Sequence, residues 1–161
     1  MVDRDGYFWQ RVAARWGDMD ALGHVNNAKY FTYFETVRMS YLRQIGLWKE
    51  GRNEQGPILV AESMNFRRQL VADQTIEVGV RISEARNRSF VMQVIMLDDT
   101  QKTAAEGDCV MAWMDFTTQK AIPIPEKVRE IAVQTAQTKV YQCESSGNGY
   151  LAFLCQQAGN D

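Results

Sequence analysis

A short polar loop of this chain gathers residue types that can do acid–base chemistry. The loop runs from Gly17 to Asn26 and holds two carboxylates, Asp18 and Asp20, together with His24, the single histidine of the sequence. It leads directly into a segment with the pattern of a helix, and a helix start carries unpaired backbone N–H groups and partial positive charge. A carboxylate placed there can activate an attacking group, while the N–H groups receive the oxygen of a polarised carbonyl.

The residue types alone leave the roles within this loop open. An aspartate in a Gly-rich loop most often shapes a turn or caps a helix, and either Asp18 or Asp20 could do so. His24 lies four residues after Asp20, within hydrogen-bonding reach across a turn, although a lone loop histidine is usually structural. Asn26 and Asn27 have the side chains of helix caps, and we predict Asn27 as the N-cap. A catalytic carboxylate and a turn-forming one therefore stand as alternatives.

Size and composition indicate one globular domain. The chain has 161 residues, of which 45% are hydrophobic and 24% charged, with a net charge of −2. This balance does not favour nucleic acid or an acidic membrane as a partner, and no apolar run is long enough for a leader or a membrane span, so we predict a cytoplasmic protein. Three widely spaced cysteines, Cys109, Cys143 and Cys155, and a single histidine indicate neither a disulfide framework nor a zinc site, and we expect no metal and no cofactor.

Hydrophobic periodicity in the first third of the chain predicts a strand followed by a long helix. Residues Tyr7–Trp16 alternate as a strand does. The aromatic segment that follows predicts a helix from Asn27 to about Ile45, with Gly46 as its natural end. Its apolar stripe is wider than a surface helix needs, so we expect the helix to be covered on most sides.

Beyond the helix, the period of the hydrophobic pattern changes to two. Four further strands are predicted: Ile58–Arg68, Gln74–Arg86, Ser89–Leu97 and Lys102–Phe116. Short turns at Arg86–Arg88 and at Asp98–Asp99 join the last three strands, which predicts an antiparallel meander.

The order of elements predicts an α+β fold, in which a five-stranded antiparallel sheet wraps around one long central helix. The domain is expected over residues 1–137, with a short helix at Glu126–Gln137 near its end. Residues 138–161 are rich in Gln, Ser, Gly and Asn and are predicted to be a polar C-terminal tail that docks at most in part. One sheet around one helix leaves an exposed edge, so we expect a homodimer or a homotetramer built from dimers.

The loop and the helix start carry a family resemblance. Residues 17–20 read GDMD and residues 23–30 read GHVNNAKY. Together they resemble the signature of the hotdog-fold acyl-CoA thioesterases of the 4-hydroxybenzoyl-CoA thioesterase type, and the HVNN portion is also similar to plant and bacterial acyl-ACP thioesterases. The resemblance extends from about Tyr7 to Phe116, and the predicted element order agrees with the hotdog fold.

This resemblance implies roles for individual residues. The second aspartate of the Asp-x-Asp pair, Asp20, would be the catalytic carboxylate, and the backbone N–H of Asn27 would be the oxyanion donor. His24 matches the histidine of the acyl-ACP enzymes and would assist. Asn26 and Tyr30 would contact the substrate.

Four arginines are candidates for phosphate binding: Arg67, Arg68, Arg86 and Arg88. Arginine binds phosphate through a planar fork, although a solvated charge at a strand end is the commoner role of any one of them. The Arg86–Arg88 turn resembles the basic turn that meets the nucleotide in this family, so Arg86 and Arg88 rank above the other two.

The function that follows is hydrolysis of an acyl-CoA to a free acid and CoA, with Asp20 as nucleophile or general base. One alternative is a non-catalytic acyl-CoA-binding protein on the same fold, because a fold alone does not fix an activity. Another is an acyl-ACP thioesterase. The acidic balance of the chain disfavours it, and Leu22 replaces an asparagine that those enzymes have two residues after the aspartate.

Overall fold

The computed structural model describes Arg4, residues 6–51 and residues 53–145, the last eight of these by their backbone only. The described residues form six strands, two α-helices and one short 3₁₀ turn at Trp16–Asp18. The strands are β1 (Phe8–Ala13), β2 (Gln55–Phe66), β3 (Thr75–Ala85), β4 (Ser89–Leu97), β5 (Thr103–Asp115) and β6 (Lys120–Ala121). The helices are α1 (Asn27–Gln44) and α2 (Glu126–Ser145).

The strands form one antiparallel sheet in the order β1-β3-β4-β5-β2, with β6 paired to β5. The predicted antiparallel meander of β3, β4 and β5 is present. The prediction of five strands was wrong, because Gln119 adopts a left-handed φ of 58° and turns the chain back, so that Ala121 pairs with Met114. A two-residue strand shows no periodicity from which the sequence could have predicted it.

The buried face of β3 follows the predicted alternation. Ile76, Val78, Val80 and Ile82 are each fully buried. Each is also in register with a neighbouring strand, as Val78 is with Met96 of β4 and Gln10 of β1. Regular burial of apolar side chains on one face holds this register, since a slip of one residue would expose them all.

Helix α1 packs against β3 and β1 through a wide buried stripe. Its buried residues are Tyr30, Tyr33, Phe34, Val37, Arg38, Tyr41 and Leu42. The helix ends near the predicted position, because Gly46 takes a φ of 72° and the backbone N–H of Leu47 donates to the carbonyl of Leu42. At its start, the N-cap is Asn26, one residue before the predicted Asn27.

The expectation of one long central helix is also corrected, because α2 is a second helix of 20 residues that packs against β3. Its buried Val128 and Ala132 belong to the same core as the buried residues of α1. The helix continues past the predicted end at Gln137, and residues 146–161 of the predicted tail lie outside the described part of the chain. Within residues 6–51 and 53–145, neither helix has the length and apolar content needed to cross a lipid bilayer.

Strand β2 lies at one edge of the sheet and presents apolar side chains there. Ile58 and Leu59 are 41% and 42% exposed, and Val60 is 63% exposed, at a shift in the register with β5. An exposed apolar edge strand is a surface on which a second chain can pair. The edge expected from the sequence is therefore present.

Candidate active site

The first carboxylate of the loop, Asp18, is buried in a network of hydrogen bonds. Its Oδ2 accepts from the backbone N–H of Arg15 (3.0 Å) and from the hydroxyl of Tyr33 (2.8 Å), and its Oδ1 lies 3.4 Å from Nζ of Lys29. Its backbone carbonyl accepts from the N–H of Asn26 (2.9 Å), the residue that caps α1. Asp18 therefore ties the loop to the first two turns of the helix.

The protonation of this network follows from its contacts. Burial alone would raise the pKa of Asp18, but the Arg15 N–H, the Tyr33 hydroxyl and the Lys29 ammonium together hold that pKa below its usual value. Burial, and after it the hydrogen bond to Asp18, raises the pKa of Tyr33. At neutral pH, Asp18 is a carboxylate that accepts from a neutral phenol, an arrangement suited to holding a fold.

The second carboxylate, Asp20, faces a cavity of about 320 Å³. It is half-buried, and its Oδ1 accepts from the backbone N–H of Leu22 (2.8 Å). Among the described residues, its Oδ2 accepts no hydrogen bond, and no cation lies within ion-pair distance. The residues lining the cavity are Asp20, Leu22, His24, Val25, Asn27, Tyr30, Phe66, Arg67, Arg68 and Gln69.

His24 is half-buried and lines the same cavity as Asp20. The two residues are joined through the backbone, since the N–H of Asp20 donates to the carbonyl of His24 (2.9 Å). Gly23, with a φ of 79°, allows the tight turn between them. Within the described residues, no hydrogen bond joins the imidazole to the Asp20 carboxylate, so the structure brings the two side chains to one cavity without linking them directly.

The first turn of α1 leaves one backbone donor at the cavity. Ala28 donates its N–H to the side-chain oxygens of both Asn26 (2.9 Å) and Asn27 (3.0 Å). The backbone N–H of Asn27 itself has no acceptor among the described residues, and Asn27 lines the cavity. Asn26 is not among the lining residues, and its side chain acts as the cap. Asn27, whose N–H is the predicted oxyanion donor, therefore lines the same cavity as Asp20, at the positive end of the helix.

Tyr30 connects the two walls of the cavity, of which the first is formed by the Asp20 loop and the start of α1 and the second by the segment at the end of β2. Its buried hydroxyl accepts from the backbone N–H of Leu70 (3.1 Å) and donates to the carbonyl of Arg68 (3.3 Å). Burial raises the pKa of the phenol, so it remains a donor at neutral pH. The N–H of Val25 also donates to the carbonyl of Leu70 (2.8 Å). These bonds fix the segment after β2 against the loop that carries Asp20.

The second wall of the cavity consists of Phe66, Arg67, Arg68 and Gln69. From the sequence, the two arginines were only the lower-ranked phosphate candidates, and no pattern placed any of the four residues beside the loop. These residues leave the end of β2, and the N–H groups of both arginines donate to the carbonyl of Ala104 (2.7 and 3.0 Å). The sequence signal that could have indicated this wall is an aromatic residue followed by two arginines, at residues 66–68, where the predicted strand ends. The sequence could not show which strand end meets the loop, because that depends on how β2 pairs with β5.

The Arg86–Arg88 turn lies away from this cavity within one chain. Across the sheet, Phe66 of β2 pairs with Ala105, Ala105 with Met96, and Met96 with Val78 of β3. Phe66 and Val78 therefore lie at the same end of the sheet. The turn follows Ala85, seven positions further along β3, a separation of about 23 Å at the rise of a strand. Arg86 also forms an ion pair with Glu84 (2.7 Å). Arg88 is exposed.

Nothing in the described ranges groups three or more His, Cys, Asp or Glu side chains in a way that could hold a metal ion. The groups available for chemistry in the cavity are the carboxylate of Asp20, which has one oxygen without a hydrogen bond among the described residues, the imidazole of His24 and the backbone N–H of Asn27. Two guanidinium groups, those of Arg67 and Arg68, also line it. Such a set can polarise a carbonyl and deliver a nucleophile to it.

Comparison with known proteins agrees with this chemistry. The sequence profile of the thioesterase-like superfamily matches residues 14–131, which include the loop, both walls of the cavity and every strand of the sheet except β1. The long-chain acyl-CoA thioesterase FadM of Escherichia coli K12 is 25% identical over 74% of this chain and 92% of its own.

Two solved structures are also similar to this chain. The PA5185 protein of Pseudomonas aeruginosa PAO1 is 27% identical, with a TM-score of 0.72 over 82% of this chain and 94% of that one. The Staphylococcus aureus protein SAV2348, solved in complex with CoA, has a TM-score of 0.74 over 86% of this chain and 87% of its own. It is 16% identical, so that likeness concerns the fold.

Proposed function

Because the chain belongs to the thioesterase-like superfamily, we propose that it hydrolyses an acyl-CoA thioester to the free acid and CoA in the cavity beside Asp20. One observation carries the proposal: an open carboxylate and a free helix-start N–H, from Asn27, line one cavity. Hydrolysis of a thioester needs these two groups, a nucleophile or base and a donor for the carbonyl oxygen.

In the proposed reaction, the thioester carbonyl oxygen accepts a hydrogen bond from the N–H of Asn27. By one route, an oxygen of Asp20 attacks the carbonyl carbon, the C–S bond breaks, and CoA leaves as a thiolate. Water then hydrolyses the mixed anhydride and restores the carboxylate. By the other route, Asp20 takes a proton from water, which attacks the carbon, and the departing thiolate receives a proton. Both routes use Oδ2 of Asp20, the atom with no hydrogen bond among the described residues.

The apolar lining of the cavity is suited to the acyl group. Leu22 is 81% exposed and Phe66 46% exposed at its edge, while Val25 and Tyr30 are buried at its inner wall. Exposed apolar surface beside polar groups is typical of a ligand site. FadM is named for acyl-CoA hydrolysis and SAV2348 was solved with CoA, which supports an acyl-CoA as the substrate.

We further propose that two copies pair through their β2 edges. Antiparallel pairing about a two-fold axis would reverse the second sheet, so that the end carrying its Arg86–Arg88 turn lies beside the Phe66 end of the first. Within its own sheet, the turn leads into β4, which lies two strands from β2, a distance of about 10 Å at the usual strand spacing. A second copy would thus bring Arg86 and Arg88 to the same end as the cavity, where they could meet CoA phosphates.

The proposed function is tested by measuring free thiol released from a panel of acyl-CoAs of varied chain length, with aromatic acyl groups included. We expect turnover of at least one member of the panel by the wild-type protein. Binding of acyl-CoA without thiol release would instead favour a non-catalytic binding protein. Turnover of acyl-ACP in preference to the same acyl-CoA would favour the carrier-protein enzyme.

A further inference from the structure

Two neighbouring arginines on the cavity wall have different electrostatic surroundings. Nε and Nη2 of Arg67 lie 2.9 and 2.8 Å from the carboxylate of Glu106 on β5. Arg68 also lines the cavity and is exposed, and its guanidinium has no carboxylate within ion-pair distance among the described residues. Arg68 therefore offers its five donors and its charge to the cavity, whereas Arg67 is already neutralised.

The backbone of Arg68 is fixed although its side chain is exposed. Its N–H donates to the carbonyl of Ala104 (3.0 Å), and its carbonyl accepts from the buried hydroxyl of Tyr30 (3.3 Å). Because Tyr30 belongs to α1, the root of the Arg68 side chain has a set position relative to Asp20 and Asn27. A guanidinium on a fixed root loses less conformational freedom when it binds an anion than one on a mobile loop.

One further carboxylate acts on Arg68 from the turn between β4 and β5. The pKa of Asp98 is lowered, first by the hydrogen bond from the Thr100 hydroxyl and then by those from the backbone N–H groups of Lys102 and Thr100. The positive charge of Arg68 lowers this pKa further. Oδ1 of Asp98 already accepts three hydrogen bonds within its own turn, at 2.6, 2.9 and 3.0 Å. Asp98 thus attracts Arg68 from a distance without occupying its donors.

The distribution of burial indicates which part of a substrate meets Arg68. Val25 and Tyr30 form the buried apolar wall, which suits an acyl group, while Arg68 lies at the exposed edge. The thiol carrier must leave the cavity on its exposed side, and the groups it carries there are phosphates. We propose that Arg68 binds a phosphate of the thiol carrier through its guanidinium fork. This inference rests on the proposed function and adds a residue to it.

The test measures binding rather than turnover, so that it stands apart from hydrolysis. Isothermal titration calorimetry compares free CoA, phosphopantetheine and pantetheine as ligands of the wild-type protein, Arg68→Ala and Arg68→Lys. The matched control is the double variant Arg11→Gln/Glu77→Gln, which removes an ion pair between β1 and β3 that does not line the cavity and leaves the net charge unchanged. We expect Arg68→Ala to weaken CoA binding about tenfold, the effect of losing one charge-assisted contact, with partial recovery in Arg68→Lys and little change in the control.

The three ligands separate the possible phosphates. Equal losses for CoA and phosphopantetheine would place Arg68 on the phosphate that both carry, and a loss for CoA alone would place it on the nucleotide phosphates; either result supports the proposal. An equal loss for uncharged pantetheine, or no loss for any ligand, would overturn it. Arg68-dependent CoA binding in a protein that releases no thiol would disprove the hydrolase and leave the phosphate contact standing.

Discussion

Asp18 and Asp20 stand two positions apart in one loop, and their surroundings are opposite. Asp18 is 9% exposed and all its contacts are internal, with a backbone N–H, a phenol and an ammonium group. Asp20 is half-buried and gives one oxygen to the N–H of Leu22, while the other has no hydrogen bond among the described residues. A satisfied carboxylate stabilises a fold, whereas an open one can react, so the contrast separates a structural acid from a candidate catalytic one.

The largest expected effect comes from Asp20→Asn. The variant keeps the size of the side chain and an oxygen for the Leu22 N–H, but it loses the charge and the basicity. We expect kcat for the best acyl-CoA to fall by about 10²-fold or more, because general-base assistance is typically worth ~10²–10⁴. Acyl-CoA should still bind, and the free energy of unfolding should be nearly unchanged. Near wild-type turnover by a folded variant would show that the open carboxylate is not the reacting group.

The matched variant is Asp18→Asn, which removes one charge from the same loop. We expect this variant to lose about 1–3 kcal/mol of the free energy of unfolding, because the hydrogen bonds to a buried charged group weaken. We do not expect it to lose catalytic rate as Asp20→Asn does. Thermal and urea denaturation measure the difference, and kcat should change much less than in Asp20→Asn. Equal loss of kcat from both variants would mean that the loop acts as a unit.

The pH dependence of unfolding provides a test of Asp18 in the wild-type protein. Its pKa in the folded state lies below the unfolded value of about 3.9, so the carboxylate form favours folding. The stabilisation is fully present above that pH and is lost as the pH falls through the lower, folded-state pKa. The stability difference between wild type and Asp18→Asn should therefore shrink as the pH drops below about 4. A constant difference down to strongly acidic pH would contradict a charged Asp18.

Replacing Arg86 and Arg88 together with alanine separates binding from the chemistry at Asp20. If a second copy brings this turn to the carrier phosphates, KM for acyl-CoA should rise about tenfold and kcat should change less, because the nucleotide is remote from the reacting bond. Steady-state kinetics and sedimentation on the same samples test this. An unchanged KM in a dimeric sample at moderate salt would remove the turn from the site.

The smallest expected effect is that of His24→Ala. The imidazole lines the cavity, but its link to Asp20 runs through the backbone. We expect a fall in kcat of only several-fold, well below the ~10²–10⁴ of a general base, consistent with a side chain that orients water or substrate. A loss as large as that of Asp20→Asn would make His24 a direct participant and place both side chains in the reaction.

Much of the fold could be predicted from the sequence because it depends on local patterns. The period-two burial of β3 and the end of α1 at Gly46 are both present in the structure. The N-cap prediction missed by one residue, since Asn26 and Asn27 are adjacent and have the same side chain. The strand count missed β6, because a two-residue strand has no hydrophobic period. The second helix was predicted to end at Gln137, eight residues before its end at Ser145, because the residues after Gln137 are mostly polar.

The sequence by itself determined the five longer strands, helix α1, the loop between β1 and α1, and the chemical types gathered in that loop. Local preferences are sufficient for this, because turn residues, capping residues and hydrophobic period act over a few positions. The tertiary structure decided which aspartate is satisfied and which is open, since the partners of Asp18 include Tyr33 on α1. It also decided that Arg67 and Arg68 lie beside Asp20, whereas Arg86 and Arg88 do not in a single chain. Both outcomes depend on how distant strands pair and pack, which no local spacing can specify.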